Sequence, residues 1–321
     1  MFHFLCTKKS DFLNPQGTYS LRGVAMLMII LSHAHNGYPV SGDVYFPSWL
    51  NLLHMEFWGG MGVAVFLFLS GYGMTLSLSK REGDINRQYV TGKLRRLLEP
   101  FLIYWLVEII VLLIFNRADF SWHLLEEFLT LSIHPDVENW FFKVIIGIYI
   151  VTILLYTVKL RHSVRIGLLF LFVVAYLFAM RSAGFGSWWY NTVLCFPIGA
   201  FVAYRKEWFA KLSPILMMFL SFLLIVLISA VHFNDIALHL LFTCFCVYAI
   251  SVVNINNRWL YFIGYNSLVF YFMECPVLDE IMKFSYSNFP SYCLLSLIGT
   301  YLLSWICVKF IQNPLKGCSK N

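Results

Sequence analysis

YSLRGVAMLMIILSHAHNG, residues 19–37, sets an arginine, ten uncharged residues and a histidine in one run. On a helix, the eleven steps from Arg22 to His33 make close to three full turns. Both side chains then project from one face, roughly 16–17 Å apart along the axis. So apolar a stretch reads as a membrane span, for which about 20 mainly apolar residues suffice. Ionisable residues are costly inside a bilayer and mark function by default. Histidine is also the side chain that takes and gives a proton near neutral pH.

The rest of the chain shares this solvent. Of 321 residues, 60% are hydrophobic and 12% charged, with a mean hydropathy of +0.71. A soluble chain carries roughly a quarter charged residues and could not hide this much apolar surface. The net charge of +6 is spread over many loops, which argues against nucleic-acid binding or a polybasic lipid switch. Lys8 and Lys9 follow the first apolar patch, and no small-residue cleavage site is seen. The expectation is therefore a short cytoplasmic lead, not a signal peptide. The eight cysteines show neither metal spacing nor a disulfide framework. Cys6 and Cys318 lie near the termini, and Cys195, Cys244, Cys246, Cys275, Cys293 and Cys307 in or beside apolar runs.

The expected fold is an all-α polytopic membrane protein of ten transmembrane helices. The spans are Leu21–Gly37, Gly60–Leu78, Leu97–Phe115, Phe141–Val158, Ile166–Met180, Trp188–Tyr204, Pro214–Val231, Ile236–Val253, Trp259–Cys275 and Cys293–Ile311. Residues 1–20 form the lead, 21–311 one membrane domain and 312–321 a tail. With the N-terminus inside, 18 of the 23 Lys and Arg fall in cytoplasmic segments. Only Arg117, Arg181 and Lys283 fall outside, as the positive-inside rule requires with both termini cytoplasmic. The outer loops Tyr38–Trp58 and Asn116–Trp140 are long, aromatic and acidic. Trp49, Trp58, Trp122, Trp140, Trp188 and Trp189 suit an interfacial belt, and sugar stacking is the alternative.

Three segments taken together carry a likeness: residues 19–37, GGMGVAVFLFLSGYGM at Gly59–Met74, and KLRRLLEPFLIYW at Lys93–Trp105. The chain resembles the acyltransferase-3 family of membrane O-acyltransferases, whose mark is a basic residue, ten others, then histidine. Weaker echoes at Asn139, Trp188 and Ile263 extend the likeness over nearly the whole chain, in order. The resemblance implies transfer of an acyl group, usually acetyl, from cytoplasmic acyl-CoA to a hydroxyl of an envelope glycan or lipid-linked sugar. It also implies a catalytic His33 and a required Arg22, in a bacterial cytoplasmic membrane. Where the family commonly has histidine late in the ninth span, this chain has Glu274.

Donor and acceptor would approach from opposite faces. Arg22, Arg95 and Arg96 are candidates for the donor phosphates, since a guanidinium pairs bidentately with phosphate oxygens. The bland alternative for Arg95 and Arg96 is charge that sets topology. Ser70, Gly71 and Tyr72 are candidates for the groove of the pantetheine arm, with helix packing as the alternative. Glu56, Glu274 and Trp140 are candidates to orient His33 or hold the acceptor, and His35 and His54 are outer-loop residues. Acetyl-CoA is expected as co-substrate, with no bound cofactor and no metal. A transporter or flippase of a glycan or lipid-linked intermediate is the competing function, since ten spans with buried ionisable groups also suit alternating access.

Overall fold

A computed structural model describes residues 12–38, 54–81, 85–114, 128, 140–230, 235–253, 255, 257–281 and 289–312. Trp49, Trp122, Cys6, Cys318, Lys8, Lys9, Arg117, Lys283 and most of both long outer loops lie outside these residues, as does the tail after Gln312. Of Glu56 the backbone alone is described.

The described residues are helical, with no strand among them. The helices are α1 (Pro15–Gly37), α2 (Trp58–Ser79), α3 (Arg87–Ile114), α4 (Trp140–Thr157), α5 (His162–Ser182), α6 (Cys195–Tyr204), α7 (Pro214–Ala230), α8 (Asp235–Val252), α9 (Arg258–Tyr265), α10 (Ser267–Ile281) and α11 (Phe289–Cys307). A 3₁₀ turn, Met55–Phe57, leads into α2, and a π turn, Val308–Gln312, ends α11.

Asparagine sets three of the helix starts. Asn14 accepts from the amide of Gly17 at 2.7 Å, Asn86 from Tyr89 at 2.9 Å, and Asn257 from Trp259 at 2.8 Å. Each supplies an acceptor that the first turn lacks. Pro15, just after Asn14, sits where a missing N–H costs nothing. Helices α1 and α3 therefore begin well before the apolar runs expected at Leu21 and Leu97.

Among the described residues, five helical segments are long and apolar enough to cross a bilayer: α2, α4, α5, α8 and Phe289–Gln312. Helices α1 and α3 are long but less apolar, because they carry Arg22 and His33, and Arg87, Lys93, Arg95, Arg96, Glu99 and Glu108. Two expected spans are interrupted. The sixth is a 3₁₀ turn at Ser187–Trp189 followed by the ten-residue α6, which at 1.5 Å per residue is about 15 Å long. Pro197 lies in the first turn of α6, where proline is tolerated. The ninth divides at Asn266 into α9 and α10, the Asn266 carbonyl accepting from Val269 at 2.8 Å.

Exposure is inverted relative to a water-soluble protein. On α7, Phe219 is 59% exposed while Ser221 is 3% exposed, its hydroxyl donating to the Met217 carbonyl. That is the pattern of a helix solvated by lipid, and the chain is a multi-pass membrane protein.

The helices gather into two compact units. One holds Met1–Ala25, Ala64–Lys80 and His162–Tyr265; the other holds Met26–Val63, Arg81–Arg161 and Asn266–Asn321. In the first, glycines bring backbones into contact. A Cβ on Gly264 would overlap the carbonyl oxygen of Tyr19, and one on Gly71 that of Phe196. Small residues at crossings are how helices associate without a hydrophobic drive between them. Gly264→Val is accordingly expected to destabilise the fold severely, read as loss of a cooperative thermal transition in detergent. A wild-type transition would show that the crossing can relax.

In the second unit, Phe101 of α3, Phe142 of α4 and Phe272 of α10 are buried together, with ring centroids 5.0–5.7 Å apart. Each such pair contributes about 0.5–1.5 kcal/mol beyond area burial. This cluster fixes the rotation of α10 about its axis, and with it the direction of Glu274.

Candidate functional site

Arg22 and His33 lie on α1, one continuous helix. Arg22 donates from Nη2 to the Leu69 carbonyl of α2 at 3.2 Å, and its guanidinium sits 5.8 Å from the Tyr19 ring centroid. Its Nε is buried with no hydrogen-bond partner among the described residues. Among the described residues no carboxylate pairs with it, so the cation is held by a carbonyl dipole and a ring face. A buried N–H without an acceptor is costly, and an anionic ligand would remove the cost.

The expected groove residues have packing partners. Gly71 meets the α6 backbone, Ser70 is buried, and the Tyr72 hydroxyl donates to the Phe12 carbonyl at 3.2 Å.

At the other end of α1, His33 Nδ1 lies 2.6 Å from Oε1 of Glu274 on α10. The His33 side chain is 43% exposed, and that of Glu274 is 0% exposed. A carboxylate accepts, so Nδ1 carries the proton and donates. In the neutral imidazole the second nitrogen, Nε2, then keeps a lone pair. Glu274 Oε2 is buried with no partner among the described residues. This is a base–orienter arrangement: one side chain able to take a proton, a second holding it in one tautomer.

The surroundings are aromatic. Tyr38 packs edge-on against Phe289 and Tyr292, each at 5.2 Å, and His35 against Phe289 at 5.7 Å. Trp140 is 6.0 Å from Phe141, which is 5.3 Å from Tyr271, one turn before Glu274 on α10. A chain of rings thus runs from Trp140 through Phe141 to Tyr271. His35 Nδ1 lies 3.3 Å from its neighbour Asn36 Oδ1, and His54 is exposed with a left-handed backbone. Of the outer candidates, Glu274 is brought to His33, while the side chain of Glu56 lies outside the described residues.

Arg95 approaches Glu99 one turn on, Nε to Oε2 at 3.4 Å, and Arg96 is exposed. Neither Tyr19 beneath Arg22 nor Glu99 beside Arg95 figures in the sequence reading. Their signals were spacings: three residues from Tyr19 to Arg22, and four from Arg95 to Glu99.

A family model described as an acyltransferase domain, that of the acyltransferase-3 group, matches residues 20–309. No curated protein and no solved structure matches the chain.

Proposed function

The chain belongs to the acyltransferase-3 family, and from that premise we propose an O-acyltransferase of the bacterial cytoplasmic membrane. It moves an acyl group, acetyl in the simplest case, from cytoplasmic acyl-CoA to a hydroxyl of an envelope polysaccharide or lipid-linked sugar. Ten crossings with both termini cytoplasmic complete this reading, because they put the start of α1 inside and its end outside. The observation that carries it is the His33–Glu274 pair toward the far end of the helix that also carries Arg22.

In the reaction, Nε2 of His33 removes the proton of the acceptor hydroxyl as its oxygen attacks the thioester carbonyl carbon. The tetrahedral intermediate collapses, the C–S bond breaks, and the thiolate leaves with the proton returned by the imidazolium. The products are an ester and free CoA. A covalent acyl intermediate is the other route the same residues serve. Arg22 binds the donor's phosphates, and the pantetheine arm, comparable in length to three helical turns, covers the rise along α1 to His33. General-base help supplies about 10²–10⁴-fold, so positioning must supply much of the remainder.

The decisive experiment incubates purified protein with labelled acetyl-CoA and an envelope extract. Labelled glycan together with CoA release supports the enzyme, and transport without CoA consumption replaces it with the flippase reading. For Arg22→Ala, the expected result is a KM for acyl-CoA raised roughly tenfold or more, with a smaller change in kcat. An unchanged KM would leave Arg22 as a topology anchor.

A further inference from the structure

A groove of about 580 Å³ runs along the outer surface of α3, remote in role from the His33 pair. Its walls are Leu94, Leu98, Leu102, Ile103 and Leu106, with Ile311 of the π turn, and Thr91, Arg95 and Glu99 line the half nearer the start of α3. We propose that this groove is a binding site for a membrane phospholipid with an ethanolamine headgroup.

Its length fits one leaflet. The fifteen steps from Thr91 to Leu106 rise roughly 22 Å. Half of a bilayer with its headgroups is about 20–22 Å. The polar residues Thr91, Arg95 and Glu99 fall in the half nearer the start of α3, and the half beyond Glu99 is apolar, with Leu102 52% exposed.

The charges choose the head. Arg95 turns Nε toward Glu99 Oε2, and its terminal nitrogens have no partner among the described residues. Glu99 has a side chain only 11% exposed, and its Oε1 is buried without a hydrogen-bond partner. A carboxylate oxygen in that position lacks a donor, and the guanidinium beside it can still take an anion. Phosphatidylethanolamine supplies both: its phosphate for Arg95 and an ammonium N–H for Glu99 Oε1. Phosphatidylcholine has the same charges but no N–H. Phosphatidylglycerol has a hydroxyl but brings net negative charge toward Glu99. The 3.4 Å contact between Arg95 Nε and Glu99 Oε2 keeps the carboxylate beside the guanidinium.

The test exchanges purified protein with an equimolar mixture of the three lipids, with identical acyl chains, and counts retained lipid by native mass spectrometry. Wild-type protein is expected to hold one ethanolamine lipid about tenfold over the choline lipid, the worth of one charge-assisted hydrogen bond. Glu99→Gln should erase that preference, and Leu102→Trp, which fills the groove and keeps the ion pair, should lower retention of every class. Equal retention of ethanolamine and choline lipids by wild-type protein overturns the proposal. So does a preference that survives Leu102→Trp, a variant that reads the site even if Glu99→Gln fails to fold. Selection of phosphatidylglycerol, abolished by Arg95→Ala alone, would make the groove a plain anion site and also overturn it.

Discussion

His33→Gln protein is expected to insert and fold as wild type and to lose acyl transfer by roughly 10³-fold, within the range for removing a general base. Glutamine is the informative substitution. Its amide can still donate to Glu274 Oε1, so the buried carboxylate keeps a partner. It has no basic nitrogen to replace Nε2. His33→Ala removes base and donor together and leaves a fully buried carboxylate without its hydrogen bond. Breaking a buried pair from one side costs about 3–5 kcal/mol, although a His33 side chain 43% exposed leaves water a route to the carboxylate. Comparing the two variants separates chemistry from stability. Both should lose turnover of labelled acetyl-CoA, and alanine alone should also lower the thermal midpoint. Wild-type turnover in purified His33→Gln would sink the catalytic assignment.

Much of this site was legible because membrane helices make spacing informative. The interval from Arg22 to His33 needs only helix geometry, and α1 runs unbroken through both. The seventh and eighth expected spans, Pro214–Val231 and Ile236–Val253, agree with α7 and α8 within a residue or two. Hydropathy fixed those ends, and at α7 the capping Ser213 stands directly before the apolar run. It misplaced the starts of α1 and α3, because Asn14 and Asn86 nucleate helix in polar sequence before the apolar run begins. It also missed the breaks at Tyr190–Leu194 and Asn266, where apolar composition continues although the helix does not. Glu274 was one of three candidates to orient His33. Choosing it required the rotation of α10, which the Phe101–Phe142–Phe272 cluster sets through contacts distant in sequence. Among the described residues Arg22 has no carboxylate partner, which no local pattern encodes; it is a property of what packs around the guanidinium.

Glu274→Gln is the second large effect, with an expected fall in kcat of roughly 10²-fold and little change in KM for acyl-CoA. Outer partners of a functional histidine typically cost 10–100-fold when removed, and loss of the acid in a serine-protease triad costs about 10⁴. The glutamine oxygen can still accept from Nδ1–H, so orientation survives in part. What it lacks is the charge. In the proposed mechanism His33 becomes a cation as it takes the acceptor's proton, and the buried carboxylate 2.6 Å away stabilises that cation. That stabilisation exists only as the proton moves, so it belongs in kcat and not in ground-state binding. Glu274→Ala separates the two contributions. If charge dominates, alanine and glutamine should be equally slow; if orientation dominates, glutamine should keep most of the rate and alanine should not. Glu274→Asp, which keeps the charge on a shorter arm, should recover part of kcat. A purely structural Glu274 predicts instead that stability falls and that kcat per folded molecule stays at the wild-type value. The measurement that decides is therefore turnover normalised to folded protein across the three variants.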